Sequence, residues 1–327
     1  MTQQIRWGIL APGGIAHLQA SDMRTAGLHL QAVASRDLAK AQAFALQYQI
    51  PTAYGSYAEL ANDPNVDAIY IASTQNFHLE HALLCINAGK HVLIEKPFTL
   101  NAAQAAKVVA AARAKKVFAM EAMWSRFLPA MRRAVEVVRE GVIGDVTLLI
   151  ADHSQYLPIT VAPRLHDPLL GGGSIIDLGI YPVSFAFHLL GKPDEVTARG
   201  RLNPDGLDLH TAMIFGYQSG QQALLASSID SAGPVTAQIL GTDGRIDMER
   251  SFYEQCAFTV YDTQNRVVER YETKIEGRGM QYQAIEAEEC IRAGKLESDI
   301  MPLDETVSIL ATMDDIRAQI GVRFPNE

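Results

Sequence analysis

Four stretches of this chain carry residue types suited to holding a nucleotide and moving a proton. The apolar run Ile5–Leu10 leads into Ala11-Pro12-Gly13-Gly14-Ile15-Ala16 and then a helical pattern through Met23. In that setting backbone N–H groups at a helix N-terminus meet a pyrophosphate, and glycine permits close approach. Ala11 and Ala16 stand at the first and last glycine of a G-x-G-x-x-G pattern and only Gly13 is kept, so a plain tight turn is the alternative. About 20 residues on, where the ribose is read, comes Ser35-Arg36-Asp37, with Lys40 one helical turn after Arg36. A guanidinium there binds a 2′-phosphate through charge-assisted bonds, and Lys40 adds a second positive charge. These residues favour NADP(H) over NAD(H), although Asp37 offers an NAD ribose contact and a solvated Arg and Lys at a helix start is the other reading. Ser73, Thr74, Gln75, Asn76 and His78 follow the strand-like Val66–Ala72, where open α/β sheets bind ligands. Asn76 and His78, each taken alone, are expected to cap the next helix. Glu95-Lys96-Pro97 follows His91–Ile94 in the same way. A lysine partly desolvated at a strand end can donate to, or exchange a proton with, a substrate oxygen; a solvated surface lysine is the alternative.

Those residues need a sheet to present them. Up to residue 120, strand-like and helical runs alternate: Ile5–Leu10, Gly14–Met23, Leu28–Ser35, Leu38–Gln47, Val66–Ala72, Phe77–Ala88, His91–Ile94, Asn101–Ala114 and Val117–Ala119. The alternation predicts a doubly wound parallel sheet with helices on both faces, a Rossmann domain. After a helix at Phe127–Arg139 and the Gly141–Gly144 turn, helices become scarce. Strand-like runs near 146–156, 195–203, 208–217, 221–229, 235–240, 255–261 and 265–271 predict a large, mostly antiparallel, open-faced sheet. Ser174–Leu190 interrupts it as a helix, and helices near 280–292 and 303–319 close the chain. The expected fold is therefore α/β followed by α+β. Its Rossmann part spans 1–121 and its second part 122–327, with the last helix packing back on the first domain.

Composition narrows the function classes. The 327 residues carry 28 Lys and Arg against 37 Asp and Glu, a net charge of -9, with 48% hydrophobic residues. That is a globular composition, and an acidic chain without basic runs has little attraction to nucleic acid or anionic membranes. Cys85, Cys256 and Cys290 are too few and scattered for a disulfide framework or a zinc site, so buried thiols are expected. His78 and His81 share a helix face without a third ligand, and no metal is expected. The start MTQQIRWGILAPGG lacks the basic region and apolar run of a signal peptide, and no stretch is read as the ~20 apolar residues of a membrane helix. A cytoplasmic location is the expectation.

The glycine turn, Ser35-Arg36 and Glu95-Lys96-Pro97, in that order, resemble the Gfo/Idh/MocA oxidoreductases, the family of glucose–fructose oxidoreductase and inositol dehydrogenase. MEAMWSRFLP at 120–129 and LGGGSIIDLGIYP at 170–182 are similar to its subgroup containing dimeric dihydrodiol dehydrogenase and NADP-dependent D-xylose 1-dehydrogenase. MPLDET at 301–306 is similar too, so the resemblance covers essentially the whole chain.

The resemblance implies an NADP-dependent oxidoreductase that moves hydride between the nicotinamide and a hydroxyl or carbonyl carbon of a sugar, polyol or vicinal diol. It pairs Lys96 with an acid/base residue from a D-x-x-x-[HY] stretch, matched here by Asp177 and Tyr181. Their i, i+4 spacing agrees, because it sets both on one helix face. Tyr181 stands where inositol dehydrogenase-like members carry His. A phenol of pKa about 10 needs a nearby cation to act as a base, and Lys96 is the candidate. Asp177 would orient the pair or the substrate. The triple glycine Gly171–Gly173 lets backbone approach a ligand closely or lets the loop adapt. Trp124 and Arg126 are expected beside the nicotinamide and the cofactor phosphates, and Tyr156, Arg164, His166 and Asp167 against polar substrate. A cis bond at Lys96-Pro97 and a homodimer through the second sheet are implied as well. Two other functions fit the same fold: a non-catalytic sugar- or NADP-sensing protein, and an NAD-dependent glycoside hydrolase using transient oxidation.

Overall fold

The first sheet is built from short, largely buried apolar strands joined by helices that carry their own caps. In chain order its elements are β1 (Arg6–Leu10), α1 (Gly14–Thr25), β2 (His29–Ala34), α2 (Leu38–Tyr48), β3 (Thr52–Tyr54), α3 (Tyr57–Asn62), β4 (Ala68–Ile71), α4 (His78–Asn87), β5 (His91–Glu95), α5 (Ala102–Lys115) and β6 (Ala119–Ala122). Asp37, Ser56 and Asn101 cap α2, α3 and α5 by accepting the amides of Ala39, Glu59 and Gln104. The strand order is β3-β2-β1-β4-β5-β6 with parallel pairing throughout. The order reverses between β1 and β4, the switch point at which such sheets take ligands beyond the strands' carboxyl ends. The computed structural model describes residues 4–325, so the first three residues of the N-terminal stretch read for a signal peptide lie outside the described residues.

After α6 (Pro129–Arg139) come β7 (Val146–Ser154), α7 (Ile180–Leu190), β8 (Glu195–Leu202), β9 (Asp208–Gly216), β10 (Gln222–Ser228), β11 (Ala237–Gly241), β12 (Gly244–Met248), β13 (Phe258–Asp262) and β14 (Val267–Tyr271). The eight strands form one sheet in the order β14-β13-β12-β11-β7-β10-β9-β8, antiparallel except where β10 runs parallel to β7. Period-two alternation divides its faces. Leu149, Ala151, Met213, Phe215, Ala223 and Leu225 are buried on the side of α7, whereas Ile214 and Leu224 on the other side are 49% and 38% exposed. The chain ends with α8 (Gln281–Arg292) and α9 (Leu303–Ile320).

The chain divides into two compact units, Met1–Phe127 with Ile275–Val307, and Leu128–Lys274 with Ser308–Glu327. The contiguous division at 121/122 differs from this because 275–307, with α8, returns to the first sheet. Hydrogen bonds explain the return. The Trp7 indole donates to Glu288 Oε1 at 2.9 Å, Gln283 Nε2 donates to Gln19 Oε1 at 2.8 Å, and the buried Asp22 carboxylate accepts the amides of Arg278 (3.0 Å) and Met280 (2.8 Å). The last helix is shared: it begins within the first unit, and from Ser308 it belongs to the second, where Gln319 bonds Ala198 N and Val196 O.

Three differences from the sequence reading have simple causes. β3 and α3 are only 3 and 6 residues long and carry too little periodicity to register. β12 (GRIDM) opens on a turn glycine and sends Arg245 and Asp247 outward, so it reads as a loop. The helical run Pro168–Leu190 is, against the reading of no such stretch, long and apolar enough by composition to cross a membrane. Of its most apolar window 83% is buried inside the protein, which makes it a core segment. All three cysteines are free and buried.

Asp22 tests the return of α8 to the first unit. Asp22→Ala leaves the buried Met280 amide and the part-buried Arg278 amide without an acceptor and is expected to cost about 2–3 kcal/mol, measured as a lower urea midpoint. Asp22→Asn, which keeps one acceptor oxygen, should lose less.

Candidate functional site

At the switch point, the turn between β1 and α1 leaves the helix N-terminus open. Gly13 is the N-cap and α1 has no side-chain cap bond, so the first-turn amides need an external acceptor. Gly13 and Gly14 are exposed, and a Cβ on either would meet nothing within 4 Å. Ala11 sits at φ 69, the left-handed region that the first glycine of the pattern would occupy without strain. Pro12 and Ile15 are half-buried and Ala16 is buried against the sheet. The N-terminus thus offers an open cradle of amides, which fits a pyrophosphate.

Beyond β2, Ser35 is buried and its hydroxyl accepts the Asp37 amide at 3.2 Å. Asp37 Oδ1 accepts the Ala39 amide at 3.0 Å, as the cap of α2. Arg36 and Lys40 are exposed, and the Arg36 guanidinium lies 5.9 Å from the Phe77 ring centroid.

The segment after β4 is organised by a histidine. Thr74 donates to Asn76 Oδ1 at 2.6 Å, and Gln75 is buried. Neither Asn76 nor His78 caps α4: its N-cap is Phe77, without a side-chain bond. The wholly buried His78 ring lies across the loops instead, with Nε2 2.8 Å from Ser73 O and Nδ1 2.8 Å from Pro97 O. Burial pushes this imidazole down to about 4, although both carbonyls favour the charged ring. His81 Nδ1 is 2.9 Å from the Ser73 hydroxyl, and its ring packs on Tyr57 and Phe77.

That histidine ties the β4 loop to the turn bearing Lys96. Glu95 is buried at the end of β5; it accepts the Tyr70 hydroxyl on Oε1 and the Lys96 amide on Oε2 at 3.1 Å. Lys96 is half-buried and the Lys96-Pro97 bond is cis. Further along, Trp124 is buried and the Arg278 guanidinium lies 5.7 Å from its ring centroid. Arg126 is 2% exposed, with NH1 bonded to Ile300 O at 3.1 Å and to the Glu305 carboxylate. These bonds anchor the short helical turn Trp124–Phe127 to the start of α9.

In the second unit, Asp177 lies in a π-helical turn, Ile175–Gly179, that runs into α7 and Tyr181. Both residues are buried, and Arg164 NH2 donates to Asp177 Oδ1 at 2.9 Å. The Tyr181 ring meets His153 edge-on, with centroids 5.0 Å apart, and lies 4.8 Å from Tyr253. His153 stacks on Tyr253 at 4.1 Å; its Nδ1 is 3.1 Å from Leu178 O and its Nε2 is 2.9 Å from Gln155 Nε2. Nδ1 therefore carries the proton, and Gln155 donates to Nε2 as well as to the Tyr253 hydroxyl at 3.1 Å. The glycines just before this turn approach protein rather than open space. A Cβ on Gly172 would strike Leu165 O, and at Gly173 (φ +109) one would strike the Asp208 carboxylate. Asp208, fully buried, accepts the Ile175 amide at 2.7 Å and the Thr211 hydroxyl at 3.0 Å. It so fixes the start of the segment that carries Asp177 and Tyr181.

The remaining substrate candidates are spread along one loop. Tyr156 is 64% exposed, His166 Nε2 is 2.8 Å from Leu157 O, and Asp167 accepts the Leu169 amide at 2.9 Å as the cap of a short 3-10 turn. Of these four, Arg164 reaches the Asp177 carboxylate, at 2.9 Å. Sequence reading passed over His153, Gln155 and Tyr253. His153 is a polar residue at an inward position of an alternating strand, a signal that was readable; Tyr253 lies in irregular chain before β13 and gave none.

Comparison with known proteins follows the same outline. Residues 5–123 match the Gfo/Idh/MocA oxidoreductase family, NAD-binding Rossmann fold, and residues 131–247 match the Gfo/Idh/MocA C-terminal domain. The chain is 37% identical to trans-1,2-dihydrobenzene-1,2-diol dehydrogenase of Xenopus laevis, over 98% of this chain and 99% of that one. It is 34% identical to the Homo sapiens enzyme of that name, over 99% of each. An aldose-aldose oxidoreductase from Caulobacter crescentus, complexed with glycerol, shares the fold with a TM-score of 0.87 at 23% identity, covering 97% of both chains. A 3-ketoreductase from Actinomadura kijaniata, in complex with NADP and TDP-benzene, superposes with a TM-score of 0.86 at 24% identity, covering 99% of this chain and 100% of that one.

The buried ring of His78 gives a pH test of the loop geometry. The unfolded chain takes a proton on this residue near 6.5, the folded chain only near 4. Its contribution to stability is therefore full above pH 6.5 and is lost as pH falls toward 4, by about 3 kcal/mol. Urea unfolding from pH 7 to pH 4.5 should show this component in the parent protein and lack it in His78→Asn.

Proposed function

Because the chain belongs to the Gfo/Idh/MocA oxidoreductase family, and is with it an NAD(P)-binding dehydrogenase/reductase acting on CH–OH groups, we propose that it exchanges hydride between NADP(H) and a sugar, polyol or vicinal diol. One observation carries this reading: the uncapped N-terminus of α1 stands at the β1/β4 switch point, in the sheet whose β5 ends at Glu95, immediately before Lys96. The first-turn amides at Gly14, Ile15 and Ala16 would hold the pyrophosphate, those of Ala11 and Gly13 being already bonded to backbone carbonyls. Arg36 and Lys40 would hold a 2′-phosphate, since Asp37 already serves as the α2 cap. Ser73–Asn76, His78, Glu95 and Trp124 line or support the same strand ends. When bound, the dinucleotide supplies the hydride acceptor or donor.

The chain's own residues supply the proton. Tyr181 removes or returns the hydroxyl proton, and Lys96 supplies the positive charge that a phenol with an ordinary pKa of about 10 requires. Arg164 fixes the Asp177 carboxylate, which then orients substrate hydroxyls. His153 and Tyr253 hold the Tyr181 ring. Curated relatives named for a dihydrodiol and fold neighbours named for aldose and keto chemistry support a polyhydroxylated or diol substrate.

Fluorescence titration with NADPH and NADH tests the cofactor assignment. NADPH should bind preferentially and Arg36→Ala should lose at least about tenfold in affinity for it, with little change for NADH; equal binding of the two by the parent chain would refute the assignment. In hydride-transfer assays on diols and aldoses, Tyr181→Phe should lower kcat by roughly 100-fold or more.

The outward face of the second sheet supports a homodimer. Cross-strand registration aligns Thr197, Ile214, Leu224 and Ile150 in one row across β8, β9, β10 and β7, with Ala212 and Ala226 in the next. With Asp152 and Arg199 these residues line a shallow concavity of about 360 Å³. Light scattering should give twice the chain mass for the parent protein and a monomer for Leu224→Glu, with NADPH binding retained.

A further inference from the structure

Glu121 has no part in the roles assigned above, yet it is a carboxyl with 0% exposure on β6, the strand at one edge of the first sheet. β6 pairs with β5 so that Glu121 stands beside Ile94 and Ala122 beside Glu95. Its Oε1 accepts the Phe98 amide at 3.0 Å, and its Oε2 has no hydrogen-bond partner among the described residues. Burial pushes the carboxyl up to about 7, against the pull of the Phe98 amide, Arg126 and Thr306. An apolar side chain of the same volume would be cheaper in so dry a place. The one bond that Glu121 makes in full goes to the turn that carries Lys96.

The turn is gripped on both sides of the cis bond. Glu95 holds the Lys96 amide at 3.1 Å, Glu121 holds the Phe98 amide at 3.0 Å, and His78 Nδ1 lies 2.8 Å from Pro97 O between them. Glu95 and His78 belong to stretches already assigned to the nucleotide site; Glu121 reaches the turn from the neighbouring strand. We propose that Glu121 is a positioning residue for Lys96, fixing the turn by accepting the Phe98 N–H so that the ammonium is held where it acts. The proposal rests on Lys96 acting in the proton transfer.

The test compares Glu121→Gln, which keeps an acceptor oxygen, with Glu121→Met, which keeps the volume and removes the acceptor, and uses Lys96→Ala as the reference. For each variant, kcat, KM, NADPH affinity and urea midpoint are measured on the full chain. Glu121→Met is expected to lower kcat about tenfold or more while KM and NADPH affinity stay within about twofold, because a small misplacement of a reacting group acts on the chemical step. Glu121→Gln should restore most of kcat. A Glu121→Met protein that folds and keeps parental kcat, beside an inactive Lys96→Ala, overturns the proposal and leaves the role of Lys96 standing. Parental kcat in Lys96→Ala overturns the role of Lys96 itself. If Glu121→Met fails to fold, Glu121→Gln decides alone: near-parental kcat upholds the acceptor role, and a loss equal to that of Lys96→Ala overturns it.

Discussion

A carboxyl group taken out of water must be supplied with donors, and in this chain the donors are backbone amides at points where the direction of the chain is decided. Asp22 takes the amides of Arg278 and Met280, and with them the entry to α8. Glu95 and Glu121 take those of Lys96 and Phe98, and Asp208 takes that of Ile175. Each is at most 5% exposed. Removing Asp22, Glu121 or Asp208 leaves a buried N–H unpaired, and removing Glu95 a part-buried one, so the loss exceeds that of an ordinary surface hydrogen bond. Apart from Glu95, which is next to Lys96 in the chain, these acceptors are distant in sequence from the amides they fix. The sequence separation of 33 between Asp208 and Ile175 illustrates the reach of this arrangement.

The same fact explains what could be read from the sequence. Strands such as Ala68–Ile71 and His91–Glu95 are buried runs bounded by turn residues, and helices such as α2 and α5 announce themselves through Asp37 and Asn101. Local patterns carry that information. Whether His78 caps its own helix or bridges Ser73 to Pro97 depends on a strand loop 19 residues away, and the sequence favoured the nearer answer. The return of 275–307 to the first unit and the parallel pairing of β7 with β10 depend on still longer separations. Lys96, Asp177 and Tyr181 could be singled out because they sit in short ordered motifs. Gln155 and Tyr253 belong to no motif and became visible only once His153 was seen between them.

The second sheet separates its two tasks by face. At the end of its inward side, His153, Ser227, Thr211 and Asp208 are all buried and meet the Ser174–Tyr181 segment. Ser174 donates to the Ser227 hydroxyl at 2.9 Å, and a Cβ on Gly179 would crowd the same side chain. At the start of the π-helical turn the Asp208 carboxylate, rather than the helix's own ladder, takes the Ile175 amide. The outward side, one residue out of phase, presents Ile150, Ile214 and Leu224 to the surface. A one-residue slip of β10 would exchange the two sets, and the pairing of seven consecutive residues with both β7 and β9 opposes such a slip.

Cofactor choice turns on two neighbouring side chains of opposite charge. A carboxylate at the end of β2 accepts from a 2′-hydroxyl and repels a 2′-phosphate. Asp37 carries that charge, but one of its oxygens already accepts the Ala39 amide at the start of α2, where the helix dipole favours a negative group. Its second oxygen can still accept from a ribose hydroxyl, so it is charge rather than the cap that sets Asp37 against a 2′-phosphate. Arg36 has no comparable commitment to a carboxylate in the described structure; its guanidinium reaches only the face of Phe77. Binding a 2′-phosphate through Arg36 asks for no change in the α2 cap. The charge of Arg36 thus supports the phosphorylated dinucleotide proposed above as cofactor.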